Sequence, residues 1–385
     1  MIYRKFIIVL VLLMGISVFS AAQKSRVFSV FQLIESEDYE DARDAIELAI
    51  EHHNTSDWFR TFYAKGLLCQ KAFEAGFEEN DRDKTELYPD QLFVAYEAYK
   101  KALQLDTRNR LQSAIATQYY QLGNDFQKLG KRLYRNKEYA ESLKAFEHAL
   151  MVSKSGLLDA ETDTSLVYNT ALAAYESRHW EKAVNYLSGL NSDAYSPNTA
   201  LLLYNAHLEA GDSLMAEEVL SQSIGRYDFD QTLVLKLVDF LVEKERMDDA
   251  VHLLDSVMVE KPANAIFPWT CGQVYQQTGA YEKAIERLEK ASRLSPREPL
   301  IYYHLGICHY NIGVAINEAA RHIGNRDRYQ MERDRATNRF REAVKWLEKS
   351  HELNPGHKPT ISTLYKLYYH LKMTEEQEEM ELLME

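Results

Sequence analysis

One stretch of the chain decides the fold: residues 265–298 read AIFPWTCGQVYQQTGAYEKAIERLEKASRLSPRE. The pattern predicts two helices joined by a tight turn at Gly279, which suits a left-handed helix cap. Small residues at Gly272 and Ala284 let the two helices pack closely, and Leu288 fills the space left between them. Pro296 ends the second helix because proline cannot continue one. The stretch is therefore a helical hairpin that is too small to hold its own core.

The small residues return at a fixed interval. Gly272 and Gly306 are 34 residues apart, and so are Ala216, Ala250 and Ala284. A period near 34 in helix-forming sequence indicates stacked helical hairpins. The small residue of the second helix recurs eight times, at Ala42, Ala95, Ser142, Ala183, Ala216, Ala250, Ala284 and Ala343. A large residue follows each of them after four positions, at Ile46, Tyr99, Phe146, Leu187, Leu220, Leu254, Leu288 and Leu347. In the first helix the small position is kept at Gly66, Gly130, Ala171, Gly272 and Gly306, whereas Tyr204 and Val238 replace it.

This pattern resembles the tetratricopeptide (TPR) repeat over about residues 24–357. The resemblance implies an all-α fold: a right-handed α-solenoid of about eight helix-turn-helix units with a C-terminal capping helix. The predicted segments are a signal peptide (1–22), N-terminal units with insertions (23–163), regular units (164–298), a unit with a long insertion (299–357), and the cap with an acidic tail (358–385). We expect that tail to fray.

The N-terminus carries the pattern of an export signal. Arg4 and Lys5 precede the apolar run at residues 6–14, and Ser20-Ala21-Ala22 supplies small residues for cleavage after Ala22. The alternative interpretation of this apolar run is a membrane anchor that the mature protein keeps. The architecture resembles that of exported TPR proteins of the Bacteroidota, which implies a periplasmic location. After cleavage we expect no integral membrane segment.

Composition and missing motifs narrow the function. The net charge of −13 argues against a nucleic-acid partner. Nucleotide-binding, zinc-protease and serine-hydrolase motifs are absent from the sequence, so we expect no enzyme activity, no cofactor and no metal. His304 and Cys308 are four residues apart on a predicted helix, a spacing that could bind a metal. The alternative, which we favour, is that all three cysteines (Cys69, Cys271 and Cys308) are small buried side chains.

Two insertions interrupt the repeat and differ in charge. Residues 73–92 hold seven acids and two bases, and residues 321–341 hold seven arginines and three acids. The second insertion is a candidate docking patch for an acidic partner, carried by Arg328, Arg333, Arg335 and Arg339. The alternative is a solvated extension of a helical hairpin. Self-association through the two oppositely charged insertions also stays open.

The resemblance implies that the first helices line a concave groove. Mapping each unit onto the pattern places Gln276 there, together with the candidate residues Tyr168, Tyr175, Asn205, Trp269, Gln273, Tyr303 and Tyr310. Aromatic and amide side chains suit a peptide or a partner helix, so we expect a periplasmic protein–protein interaction scaffold that helps to assemble or organise a cell-envelope complex. Burial of these residues against neighbouring helices is one alternative. A small-ligand or glycan-binding envelope protein is another.

Overall fold

A computed structural model describes residues 24–158 and 163–384, and all the regular structure in these ranges is helical. The predicted signal peptide at 1–22 lies outside them. Helix α1 covers residues 24–35. The other helices are α2 (Tyr39–Glu51), α3 (Phe59–Glu79), α4 (Arg82–Thr85), α5 (Gln91–Leu105), α6 (Gln112–Arg135), α7 (Tyr139–Ser153), α8 (Thr164–Glu176), α9 (Trp180–Ser192), α10 (Pro197–Glu209), α11 (Ser213–Arg226), α12 (Gln231–Glu243), α13 (Met247–Glu260), α14 (Ile266–Gln277), α15 (Tyr281–Leu294), α16 (Pro299–Ala320), α17 (Arg326–Leu353), α18 (Lys358–Leu371) and α19 (Thr374–Leu382).

Taken in chain order, these helices give eight predicted units followed by α18 and α19, with α4 inserted in the second unit. The all-α repeat solenoid expected from the sequence is confirmed. By their contacts the helices divide into two compact units. The N-terminal unit reaches Tyr195 and includes residues 205–211, and the C-terminal unit holds Ser196–Tyr204 and the chain from Asp212 onward. The finer segment boundaries drawn from the sequence stay a prediction.

The core of each hairpin follows the rule of one small and one large residue. All eight small residues of the second helices and all eight large residues four positions later are buried. The first-helix glycines explain why: a Cβ atom at Gly272 would lie 2.6 Å from Leu288 Cγ, and one at Gly306 would lie 2.5 Å from Leu347 Cγ. The large side chain therefore fills the space that the missing Cβ leaves.

Ser142 is the only one of the eight small residues that is not alanine, and a hydrogen bond within the hairpin accounts for its hydroxyl group. Ser142 Oγ donates a 2.9 Å hydrogen bond to the carbonyl oxygen of Gly130 on the facing helix. The serine thus stays fully buried with its polar atom satisfied.

The insertions are built mainly by lengthening helices. Helices α16 and α17 have 22 and 28 residues, against 12 and 14 in α14 and α15. The extended hairpin repeats the packing rule seven residues further on, since a Cβ atom at Gly313 would lie 2.6 Å from Phe340 Cε1. The arginine-rich insertion therefore extends the helical hairpin of the eighth unit.

The acidic tail differs from the expectation that it would fray. It forms α19 and packs against α18, where Met380 is buried in a cluster with Leu364, Leu367 and Tyr368. Apolar Met380 thus anchors a helix that is otherwise highly acidic. Within the ranges that the structure describes, we find no helix whose length and apolar character would let it span a membrane.

Candidate interaction surface

The first helices of the last two units lie side by side in the C-terminal unit. Helix α14 contacts α16, and α17 packs against α18. The N-cap residue of α18, His357, lies beside Tyr303 of α16. Trp269 on α14 and Tyr303 on α16 occupy equivalent positions, 34 residues apart. The repeat therefore stacks large aromatic side chains in register along one face of neighbouring helices.

His304 is held between two glutamines of the preceding unit. Its Nδ1 donates to Gln276 Oε1 at 2.9 Å, and its Nε2 accepts from Gln273 Nε2 at 3.1 Å. Since Gln273 and Gln276 are one turn apart on α14, the imidazole bridges their two amides. The histidine thereby fixes the orientation of both glutamines.

The same contacts fix the charge and tautomer of His304. Burial lowers the pKa of the imidazole below its usual value of 6.5, and the neighbouring His357 lowers it further. The ring is therefore neutral at pH 7, with its proton on Nδ1. The surface around it presents an uncharged hydrogen-bonding group.

Aromatic rings continue the surface on both sides. The ring centroids of Trp269 and His304 are 6.4 Å apart, those of Tyr303 and His304 are 5.5 Å apart, and those of Tyr303 and His357 are 5.0 Å apart with the rings edge to face. Burial also raises the pKa of Tyr303, so its hydroxyl stays protonated at neutral pH. We call this set the aromatic–amide row; it comprises Trp269, Gln273, Gln276, Tyr303, His304 and His357.

Each glutamine of the row keeps one polar atom unused within the described residues. Gln273 engages His304 through Nε2, which leaves Oε1 as an acceptor, and Gln276 engages it through Oε1, which leaves Nε2 as a donor. An oriented acceptor and donor beside aromatic rings match the C=O and N–H of a peptide backbone.

Four of the residues predicted to line the groove come together in this row: Trp269, Gln273, Gln276 and Tyr303. Tyr310 lies seven residues along α16, where its ring centroid is 5.9 Å from that of Phe340. Tyr303 and Tyr310 are half-buried and pack on the core of α17 and α18. Burial against neighbours, the alternative left by the sequence, therefore holds in part.

The other predicted groove residues belong to the N-terminal unit. Tyr168 lies against Tyr195 with ring centroids 5.3 Å apart, and Tyr175 lies edge to face with Trp180 at 5.4 Å. Asn205 is half-buried on α10. These residues do not join the aromatic–amide row.

Sequence reasoning missed the role of His304 and did not single out His357. His304 drew attention through its spacing from Cys308, as a metal ligand. Both of its ring nitrogens are instead hydrogen-bonded to glutamines, and burial raises the pKa of the Cys308 thiol to about 12. The sequence held one signal for this contact: His304 directly follows the predicted groove residue Tyr303, and the preceding unit carries two glutamines, Gln273 and Gln276, on the helix that packs beside it.

The four predicted arginines of the docking patch lie on α17 but do not converge on one point. Arg328 is exposed in the first turn, and Arg333 donates to Asn317 Oδ1 at 2.5 Å across the hairpin. Arg335 pairs with Glu332 at 2.8 Å. Arg339 pairs with Glu282 at 2.5 Å. Two of the four charges are thus neutralised locally, and the patch stays a prediction.

Comparison with known proteins identifies the repeat. The family model described as "TPR repeat" matches residues 262–313, which include α14, α15 and the first two thirds of α16. The TPR repeat-containing protein YpiA of Bacillus subtilis (strain 168) is 22% identical over 196 residues, which cover 48% of this chain and 46% of that relative. The match thus spans about half the length of the relative.

Solved structures with similar helical architecture include two from bacteria. A TPR repeats protein from Bacteroides fragilis NCTC 9343 is 18% identical, with 64% of this chain and 98% of that chain covered and a TM-score of 0.37. The C-terminal part of a TPR repeat-containing protein from Cytophaga hutchinsonii is 15% identical, with 66% and 92% covered and a TM-score of 0.43.

Proposed function

We propose that this chain, a protein built of tetratricopeptide repeats, is a periplasmic scaffold that binds a peptide or partner protein along the aromatic–amide row. TPR repeats support an interaction scaffold, since a stack of hairpins presents a long surface for contact with another protein. The partner complex belongs to the cell envelope, and the role of this chain in it is assembly or organisation without catalysis.

One observation carries the proposal. His304 orients Gln273 and Gln276 so that an amide acceptor and an amide donor stand free beside the rings of Trp269 and Tyr303. An extended or helical peptide end could use both amides, and its apolar side chains could cover the rings. Because Trp269, Gln273, Gln276, Tyr303 and the neutral His304 carry no charge at pH 7, the ligand is an uncharged, apolar peptide segment.

The location rests on the N-terminal pattern. Two basic residues, an apolar run and small residues before Gln23 are what an export signal requires. Osmotic-shock fractionation of cells should release the protein with periplasmic markers. Recovery with cytoplasmic markers would contradict the location while leaving the binding surface untouched.

Binding is tested by quantitative pull-down from an envelope extract with purified full-length protein. The test variant combines Trp269→Ala with Tyr303→Ala, and the control combines Tyr120→Ala with Tyr369→Ala, two tyrosines that are each 67% exposed outside the row. Wild type and control should recover the same stoichiometric partner. The test variant should lose it, because truncating a buried aromatic contact costs about 2–4 kcal/mol of binding.

Circular dichroism should show that the test variant keeps its helices. If it does not, Gln276→Ala replaces it, since this change removes one amide without removing a ring. Equal recovery by wild type and by a folded row variant would contradict the proposal.

A further inference from the structure

The first insertion builds a cavity in the N-terminal unit. The segment from Thr85 to Phe93 passes over α6 and α7 and encloses a half-open space of about 450 Å³. Such a volume lies within the usual range of small-ligand sites, about 300–1,000 Å³. A regular repeat would lack this segment, so the cavity exists because the chain departs from the plain array.

The floor of the cavity is apolar and its wall is anchored. Phe73, Leu92, Leu129 and Leu133 supply hydrocarbon surface from three helices. The wall is fixed by Gln91, whose Nε2 donates to the carbonyl oxygens of Cys69 and Lys84 at 2.9 and 3.0 Å. The space is therefore preformed, which spares a ligand the cost of ordering it.

Most charges around the cavity are already paired. Lys144 forms an ion pair with Asp90 at 3.1 Å and lies 4.0 Å from the ring centre of Phe93. Glu86 pairs with Arg82 at 2.8 Å. These pairs leave little net charge at the rim.

Arg132 and Glu141 line the cavity without an ion pair among the described residues. The guanidinium of Arg132 lies 4.8 Å from the ring centre of Phe77. Arg132 also borders a second space of about 550 Å³, whose lining is polar and includes Asn80, Glu86, Asn136 and Glu138. Arg132 thus borders both the first space, with its apolar floor and charged rim, and the polar second space.

We infer that the region around Arg132 is a binding site for an amphipathic organic anion, with its carboxylate or phosphate on Arg132 and its hydrocarbon or aromatic arm on the apolar floor of the cavity. A planar guanidinium matches both anions with paired hydrogen bonds. The apolar floor takes the arm, and the polar second space keeps the head group hydrated. The inference is independent of the aromatic–amide row, which lies in the other unit.

The test uses two fluorescent probes of similar shape with the full-length protein. One is 8-anilino-1-naphthalenesulfonate, an amphipathic anion, and the other is N-phenyl-1-naphthylamine, its uncharged analogue. Arg132→Gln should weaken binding of the anion at least about tenfold and leave the neutral probe unchanged, because it removes a charge-assisted hydrogen bond. Arg108→Gln, an exposed arginine in the loop before α6, is the matched control and should change neither.

Two further variants keep the test decisive. Arg132→Lys should weaken anion binding less than Arg132→Gln does, because the ammonium group keeps the charge but not the paired hydrogen bonds; this intermediate effect shows that the loss in Arg132→Gln is loss of charge rather than of fold. Leu133→Trp should fill the cavity and weaken both probes. Displacement of the anionic probe by decanoate or by decyl phosphate then distinguishes a carboxylate from a phosphate head group.

Three outcomes would overturn the inference. These are failure of the anionic probe to bind, unchanged anion binding in Arg132→Gln, and equal weakening of both probes in that variant.

Discussion

The side chain of Leu288 occupies the space that the absent Cβ atom of Gly272 leaves between the two helices of the hairpin. A Cβ atom on Gly272 would come within 2.6 Å of Leu288 Cγ and within 3.3 Å of the Ala284 carbonyl oxygen. The distance between the two helices of the hairpin is thus set by a missing methyl group. The pairs Gly66–Tyr99 and Gly130–Phe146 repeat the relation with aromatic side chains.

Gly272→Ala should destabilise the protein by about 1–2 kcal/mol, because overpacking costs more than the better helix propensity of alanine returns. Gly225→Ala is the matched control, since Gly225 is also helical but nothing lies within 4 Å of its would-be Cβ. That change should stabilise the protein by about 0.5–1 kcal/mol. Urea unfolding followed by circular dichroism measures both, and the same sign for both would refute the packing argument.

Glu245→Gly should stabilise the protein by about 0.5–1 kcal/mol. Gly211, Glu245 and Gly279 hold the same turn position at intervals of 34 residues, and all three have positive φ, at 85°, 58° and 75°. Only glycine adopts this conformation without a steric cost. The converse change, Gly279→Ala, should destabilise by a similar amount, and melting temperatures compare the two. Destabilisation by Glu245→Gly would show that its side chain contributes more than its backbone strain costs.

Asp125 should make the N-terminal unit less stable as the pH rises. Its side chain is fully buried, and burial, with the charge of Glu74 adding to it, raises the pKa of its carboxyl group from 3.8 to about 6. This increase in the pKa is only partly offset by hydrogen bonds from Gln70 and Gln121 and by the ammonium group of Lys128. Because the folded pKa is raised, this group favours folding most below about pH 4, and that contribution is lost as the pH rises through 6.

Asp125→Asn tests this directly. The amide keeps the shape of the side chain without the proton equilibrium, so the variant should gain stability over wild type as the pH is raised from about 4.5 to 7.5. Thermal unfolding at the two pH values measures the gain. A difference between variant and wild type that does not change with pH would contradict the role of Asp125.

The three cysteines should be unreactive in the folded protein. Cys69, Cys271 and Cys308 are free and buried, as the sequence predicts, and burial raises the pKa of their thiols to about 12, 11 and 12. A thiol-reactive disulfide reagent at pH 8 should modify none of them within minutes and all three after unfolding in guanidinium. Rapid modification of any one in buffer would show that its helix opens readily.

The sequence predicts the fold well because the repeat constrains the core. Each small residue and its large partner are four positions apart in the same helix, so a single pattern predicts burial in all eight units. It predicts the insertions poorly, since a charged segment such as residues 321–341 reads equally well as a loop or as a longer helix. The pair Gly313 and Phe340 continues the packing rule into the extended hairpin and could have indicated the longer helices.

The candidate surface is predicted only in part, for a geometric reason. Repeat positions place Trp269 and Tyr303 in register, but the link between Gln273, Gln276 and His304 depends on how far two neighbouring helices are offset along their axes. One sequence does not fix that offset. The cavity at Arg132 likewise depends on the path of residues 86–90, which connect α4 to α5 and lie outside the repeat pattern.

The central claim is that a partner binds on the aromatic–amide row, and site-specific photo-crosslinking in living cells tests it most directly. A photoreactive p-benzoylphenylalanine replaces Gln277, an exposed residue one turn along α14 from Gln273, in one variant and the exposed Tyr120 in a control. We predict one discrete covalent adduct from position 277 after irradiation, absent from position 120 and lost when Trp269→Ala is added. No adduct from position 277, or the same adduct from both positions, would contradict the claim.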